Sequence, residues 1–209
     1  MRRRFALALS ISAGLMMAAC ADSSGGTQIT SPSATSGELR TLMDVTEGLD
    51  VTSGQVGTFN WAGQSFVVPD TGTFGDLRFN FYNYQKRPVA FGSLYLLAQE
   101  FLGVPAALNS STPGFVARAE SSAEGIYTFT NSAVVTGGTK YWVYTDAQGS
   151  FAGSFDTDIY QGGDLYVTGF PTNPFRKAQA SGRMVNGVLV PAPPGVFVDA
   201  NFRLQARRR

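Results

Sequence analysis

Leu77-Arg78-Phe79-Asn80-Phe81-Tyr82 decides the fold. Apolar Leu77, Phe79 and Phe81 alternate with Arg78, Asn80 and Tyr82. Successive residues of a β-strand point to opposite faces, so a period of two puts one set on a core and the other in water. The period returns downstream in Tyr127-Thr128-Phe129-Thr130. It returns again where Val196, Val198, Ala200, Phe202 and Leu204 alternate with Phe197, Asp199, Asn201, Arg203 and Gln205. Phe79, Phe81, Tyr127, Phe129 and Phe202 are therefore expected in the core, with Arg78, Asn80 and Arg203 facing water.

Between these segments lie Gly- and Pro-rich breaks at 69–75, 103–114, 136–139, 161–163 and 191–195. Several strands separated by turn signals read as an antiparallel sandwich or barrel. Residues 93–101 have helical features, but their aromatic and branched neighbours favour a strand that overruns its end. Residues 38–51 suit a short helix or a leading strand equally well. The expected class is all-β: one antiparallel β-sandwich of jelly-roll type after a flexible N-terminal tether, with the domain at 38–209 and its core at about 57–206.

Residues 21–37 are rich in Ser, Gly and Thr and nearly free of apolar side chains. Such a stretch buries too little surface to order itself and reads as a tether. Ahead of it, Arg2, Arg3 and Arg4 precede an apolar run that closes on Met17-Ala18-Ala19-Cys20. Basic residues, a short apolar segment and small residues at a cut describe a secretory signal, here 1–19. The run is short for a membrane span, which takes about 20 residues. Met17-Ala18-Ala19-Cys20 resembles the bacterial lipobox, with Met17 in place of the usual leucine. The resemblance implies lipid on Cys20, including palmitate, and attachment to a membrane of the cell envelope; in a Gram-negative cell that is the outer one. An ordinary signal cut, with Cys20 incidental, is the alternative.

Composition narrows the chemistry. Residues 20–209 carry 13 basic and 15 acidic side chains, too balanced for a nucleic-acid partner. The chain has no histidine and one cysteine, Cys20. That removes Ser-His-Asp and Cys-His catalysis and the usual zinc sites. Carboxylate chemistry and oxygen-ligated calcium remain.

Segments 63–69, 125–129, 134–144, 159–163 and 199–204 together resemble the bacterial choice-of-anchor group of extracellular jelly-roll domains over about 57–206. The resemblance implies a β-sandwich paired with a surface anchor, here the lipid. The group has no agreed activity.

Four candidate sites follow. Arg78, Asn80, Tyr82 and Tyr84 would share an outward strand face, where amide and guanidinium bind hydroxyls while rings pack on a sugar; the alternative is an ordinary solvent face. Trp61, Trp142 and Tyr144 fit a core better than a ligand surface. Asp156, Asp158 and Asp164, with Asp146 upstream, offer hard oxygen ligands for calcium, against turn aspartates that cap their own backbone. Arg207-Arg208-Arg209 suits acidic polymer or lipid head groups, against a frayed, solvated end. Glu100, Glu120 and Glu124 are the carboxylates for a hydrolase pair, although no spacing joins any two. The expected role is a non-catalytic envelope lipoprotein presenting a binding or structural module for carbohydrate or another envelope component. The alternative is a carboxylate-based or metal-assisted hydrolase of envelope polymers.

Overall fold

A computed structural model describes residues 37–46, 55–154 and 157–209. The signal segment 1–19, Cys20 and the tether up to residue 36 lie outside the described residues, as does Asp156. Fifteen strands follow one another in the described residues: β1 (Arg40–Val45), β2 (Gln55–Val67), β3 (Thr73–Tyr82), β4 (Pro88–Val89), β5 (Ser93–Leu97), β6 (Phe115–Glu120), β7 (Tyr127–Thr128), β8 (Val135–Thr136), β9 (Lys140–Thr145), β10 (Gly149–Ala152), β11 (Leu165–Thr168), β12 (Arg176–Lys177), β13 (Arg183–Val185), β14 (Val188–Val190) and β15 (Phe202–Arg208).

All pairings between these strands are antiparallel, and they build two sheets and a hairpin. The first sheet runs β1-β15-β3, with β4, β7 and β8 bonded to stretches of β3. The second runs β12-β11-β2-β9-β5-β6, with β10 on the early part of β2. β1, β3, β7/β8 and β15 form one layer; β2, β5, β6 and β9 form the other. The chain crosses repeatedly between layers, and its first and last long strands are neighbours, which is the wrapped course of a jelly roll. β10, β11 and β12 extend the second sheet beyond that frame. β13 and β14 form a separate hairpin around Asn186 and Gly187, both at positive φ.

Phenylalanines fill the space between the sheets. Phe66 of β2 meets Phe79 of β3 at 6.2 Å and Phe202 of β15 at 6.4 Å, while Phe79 stacks on Phe202 at 5.5 Å. All three are fully buried, as are Phe81 and Tyr127, and Phe129 nearly so. The alternation that identified them holds.

It fails at the far side of the second sheet, which is also covered. Trp61, Tyr95, Leu97, Tyr144 and Tyr166 project outward there and pack with Leu108 and Phe175 from the flanking loops. Tyr144 lies directly over Gly63, its partner across the ladder; a Cβ on Gly63 would stand 2.4 Å from the ring.

Residues 93–97 form the expected strand, and the described part of 38–51 contains a leading strand, Arg40–Val45, with 47–51 outside the described residues. The arginine end needs a correction. Arg207 and Arg208 do not fray; they belong to β15, flanked by β1 and β3. Arg207 donates to the Gly37 carbonyl at 2.6 Å and pairs with Asp76 at 3.3 Å, and the Arg209 amide donates to the Thr73 carbonyl.

Candidate functional site

The β3 stripe is not an open surface. Arg78 is exposed, and Tyr84 is 53 % exposed but stands beyond β3, in the turn before β4. Asn80 and Tyr82 correct the expectation, being 6 % and 4 % exposed. The cause is the neighbouring strand. Arg203 of β15 sits opposite Asn80, and its guanidinium lies 5.5 Å over the Tyr82 ring. Asp44 of β1 holds that guanidinium through Arg203 Nε at 3.0 Å. Asn80 donates to the Phe81 carbonyl at 3.3 Å. Burial raises the Tyr82 hydroxyl above its usual pKa. The outward side chains of three adjacent strands thus satisfy one another and leave little free for a ligand.

Nor do the described aspartates of the calcium set, Asp158 and Asp164, converge with Asp146. Asp164 accepts from Lys177 Nζ at 2.9 Å and lies 3.7 Å from Lys140 Nζ, so two ammonium groups neutralise it. Asp146 accepts from the Ser93 amide at 2.7 Å and stands 4.0 Å from Arg118. Asp158 caps the Tyr160 amide at 3.1 Å and hydrogen-bonds Asp199. Among the described residues no three His, Cys, Asp or Glu side chains group closely enough to hold a metal ion. The glutamates are dispersed as well. Glu100 accepts from the Tyr166 hydroxyl at 2.6 Å, Glu120 pairs with Arg118 at 2.7 Å, and Glu124 lies exposed between β6 and β7.

Asp199 and Asn201 were expected in water by their place in the alternation, yet both are fully buried. Asp199 accepts from Gln64 Nε2 at 2.9 Å and from the Tyr160 amide at 3.0 Å. Gln64 in turn accepts from the Ala200 amide at 2.9 Å. Burial is the main force on the Asp199 carboxyl. The hydrogen bonds from Gln64 and Tyr160 oppose it and the Asp158 charge reinforces it, leaving the group pushed up to about 7. This network ties β2 to the segment entering β15 and is structural in its geometry.

Open space lies elsewhere, at the free edge made by β11 and β12. One cleft of about 610 Å³ is lined by Arg176, Lys177, Gln179, Ser181 and Ser154, with Val167 and Val198 as apolar lining. Arg176 also lines a second cleft of about 320 Å³, shared with Phe170 and Asn173. One guanidinium therefore belongs to both. Its position follows from the ladder: Arg176 pairs with Val167, and Lys177 with Tyr166, so the two cations leave β12 on opposite sides. Lys177 reaches the outer face, 5.9 Å over the Tyr166 ring.

Phe170 presents its ring to solvent at 64 % exposure. It sits in Gly169-Phe170-Pro171-Thr172-Asn173-Pro174, a turn held at both ends. The Thr168 hydroxyl and the Asn173 amide both donate to the Phe170 carbonyl, at 3.2 Å each. After the turn, Phe175 is buried and its amide donates to the Gly103 carbonyl. Two prolines further restrict the backbone. The ring is thus displayed from a short, pinned loop in a cleft that Arg176 and Asn173 also line. The sequence reading passed over this loop. Its signal was a bulky aromatic bracketed by Gly and two Pro, since a turn gives such a ring no core to enter.

No protein-family model and no curated protein sequence matches the chain. The geometry of this edge is accordingly the ground for a functional reading.

Proposed function

We propose that the chain is an envelope lipoprotein whose jelly roll holds a glycan of the cell surface at the β11–β12 edge without transforming it. One observation carries the reading: the exposed Phe170 ring, Asn173 and Arg176 line one cleft, and Arg176 also lines a second that offers Gln179 and Ser181. A sugar ring presents hydroxyls around its rim and an apolar face of C–H groups. An exposed aromatic covers the face, while amides, hydroxyls and guanidinium bind the rim. Placement on a pinned loop and a strand lowers the entropy lost on binding. The resemblance of Met17–Cys20 to a lipobox and the likeness to choice-of-anchor domains support the surface location.

Retention of the purified full chain on insoluble polysaccharides and wall preparations tests the site. Phe170→Ala should abolish retention with the melting temperature unchanged. Retention that survives this substitution would remove the cleft from the reading. Turnover of the bound polymer, lost on replacing a carboxylate, would make the protein a hydrolase instead. For the anchor, Cys20→Ser should shift the protein out of the membrane fraction or block its processing. Wild-type processing and fractionation of that variant would refute the lipid.

A further inference from the structure

We infer that the β11–β12 cleft selects an acidic sugar, with Arg176 clasping the carboxylate of a uronic acid unit whose ring lies on Phe170. The inference rests on the glycan reading above and adds the charge of the ligand.

Three observations support it. First, among the described residues, those lining the two clefts include two cations, Arg176 and Lys177, and no carboxylate. Arg176 leaves β12 on the side opposite Lys177 and is the cation that lines both clefts. Second, the two cations differ in what they already hold. Lys177 is committed to Asp164 at 2.9 Å. Among the described residues the Arg176 guanidinium has neither a hydrogen bond nor an ion pair. Arg40, Arg118, Arg203 and Arg207 each pair with an aspartate or glutamate; of the arginines that do not, Arg176 is the one that lines these clefts. Third, the free group is an arginine and not a lysine. A guanidinium presents two parallel N–H groups that match the two oxygens of a carboxylate, whereas an ammonium is a point charge.

The arrangement also fits the shape of a uronate. In a hexuronic acid the carboxylate projects from the rim of the pyranose ring, while the C–H groups of the ring form its flat side. Phe170 and Arg176 border the same cleft, so the apolar and anionic parts of one such unit have a partner each. Asn173 in the same cleft, with Gln179 and Ser181 in the other cleft that Arg176 lines, offers hydrogen bonds to the hydroxyls of that unit or the next.

The test compares a galacturonic acid trisaccharide with its methyl ester, which has the same rings and linkages but no charge, by titration calorimetry on the full chain. The acid should bind at least about tenfold more tightly than the ester at low ionic strength, and the gap should narrow as salt rises. Arg176→Gln should bring the acid down to the affinity of the ester. Arg176→Lys should recover only part of the preference, because charge returns without the planar fork. Equal binding of acid and ester by the wild type overturns the inference, as does a preference that survives Arg176→Gln. If neither trisaccharide binds while Phe170-dependent retention on a neutral polysaccharide persists, the acidic selectivity is wrong and the glycan reading stands. If no polysaccharide is retained, the glycan reading itself fails. Thermal melting of both Arg176 variants, expected to match wild type, shows that any loss comes from the site.

Discussion

The two faces of the second sheet are both covered, by different means. The inner face meets the other sheet through rings without polar atoms, Phe66 against Phe79 and Phe202. Contact area and fit hold these phenylalanines, while the tyrosines of the same core, Tyr127 and Tyr141, bond their hydroxyls to backbone. The outer face is built from Trp61, Tyr95, Tyr144 and Tyr166, whose polar tips tether loops. The Tyr144 hydroxyl accepts from the Phe101 amide at 3.1 Å, and Trp61 Nε1 donates to the Asp146 carbonyl at 3.0 Å. Trp142 Nε1 donates to the Tyr166 hydroxyl at 3.2 Å, and that hydroxyl donates to Glu100. Burial raises the pKa of Tyr144 and Tyr166, so both stay protonated. One face joins sheet to sheet; the other fastens loops to a sheet that is already formed. Losses on the first should be global and on the second local.

The largest effect tests the global half. Phe79→Ala should cost about 3–5 kcal/mol in urea unfolding, the usual range for a buried aromatic truncated in a sealed core. A cost below about 1 kcal/mol would mean that the sheets are not jointly held by this cluster. Next, Gly63→Val forces a side chain into the Tyr144 ring and should cost about 1–3 kcal/mol by overpacking. Amide exchange should quicken in residues 98–114 while β3 and β15 stay protected. Uniform loss of protection would erase the distinction between the faces.

The third test concerns the polar seam of the inner layer. The Asp199 carboxyl, pushed up to about 7, lies well above its ordinary value of 3.8. Between those values the folded chain keeps a proton that the unfolded chain has released. The contribution of this group is therefore fully present below about pH 4 and is lost as pH rises through about 7. One proton limits the slope to about 1.4 kcal/mol per pH unit. Urea midpoints across that range should fall more steeply in wild type than in Asp199→Asn; parallel profiles would show that the carboxyl titrates normally. The smallest effect is Tyr144→Phe, expected to cost about 1 kcal/mol for one lost hydrogen bond. Faster exchange at the Phe101 amide is its signature, and no change there would dissociate the hydroxyl from the loop.

The same contrast explains what could be read from the sequence. Alternation reports one wet and one dry face, so Leu77, Phe79 and Phe81 were legible, as were Tyr127, Phe129 and Phe202. Where both faces are dry, as in Leu94-Tyr95-Leu96-Leu97, the period disappears and the strand resembles a helix. Asn80, Tyr82 and Asp199 misled for a related reason. Their polarity was visible, but the partners that cover or satisfy them, Arg203 and Gln64, come from strands remote in sequence. The β11–β12 edge was illegible because it depends on which strand ends the sheet. Phe170 alone carried a local sign, in the glycine and prolines around it.

β15 occupies the middle of its sheet, and its pairing sets an order of assembly. The ion pair between Asp44 and Arg203 spans 159 residues of chain. Until Phe202 and its successors emerge from the ribosome, or from any channel passed N-terminus first, β1 and β3 have no strand to join them. Each then exposes a row of unbonded backbone groups, the kind of edge on which chains aggregate. Such long-range closure is slow, and the interval is one in which a nascent chain needs chaperone cover. The protein is therefore built to mature late and at once, with its last long strand acting as the bolt.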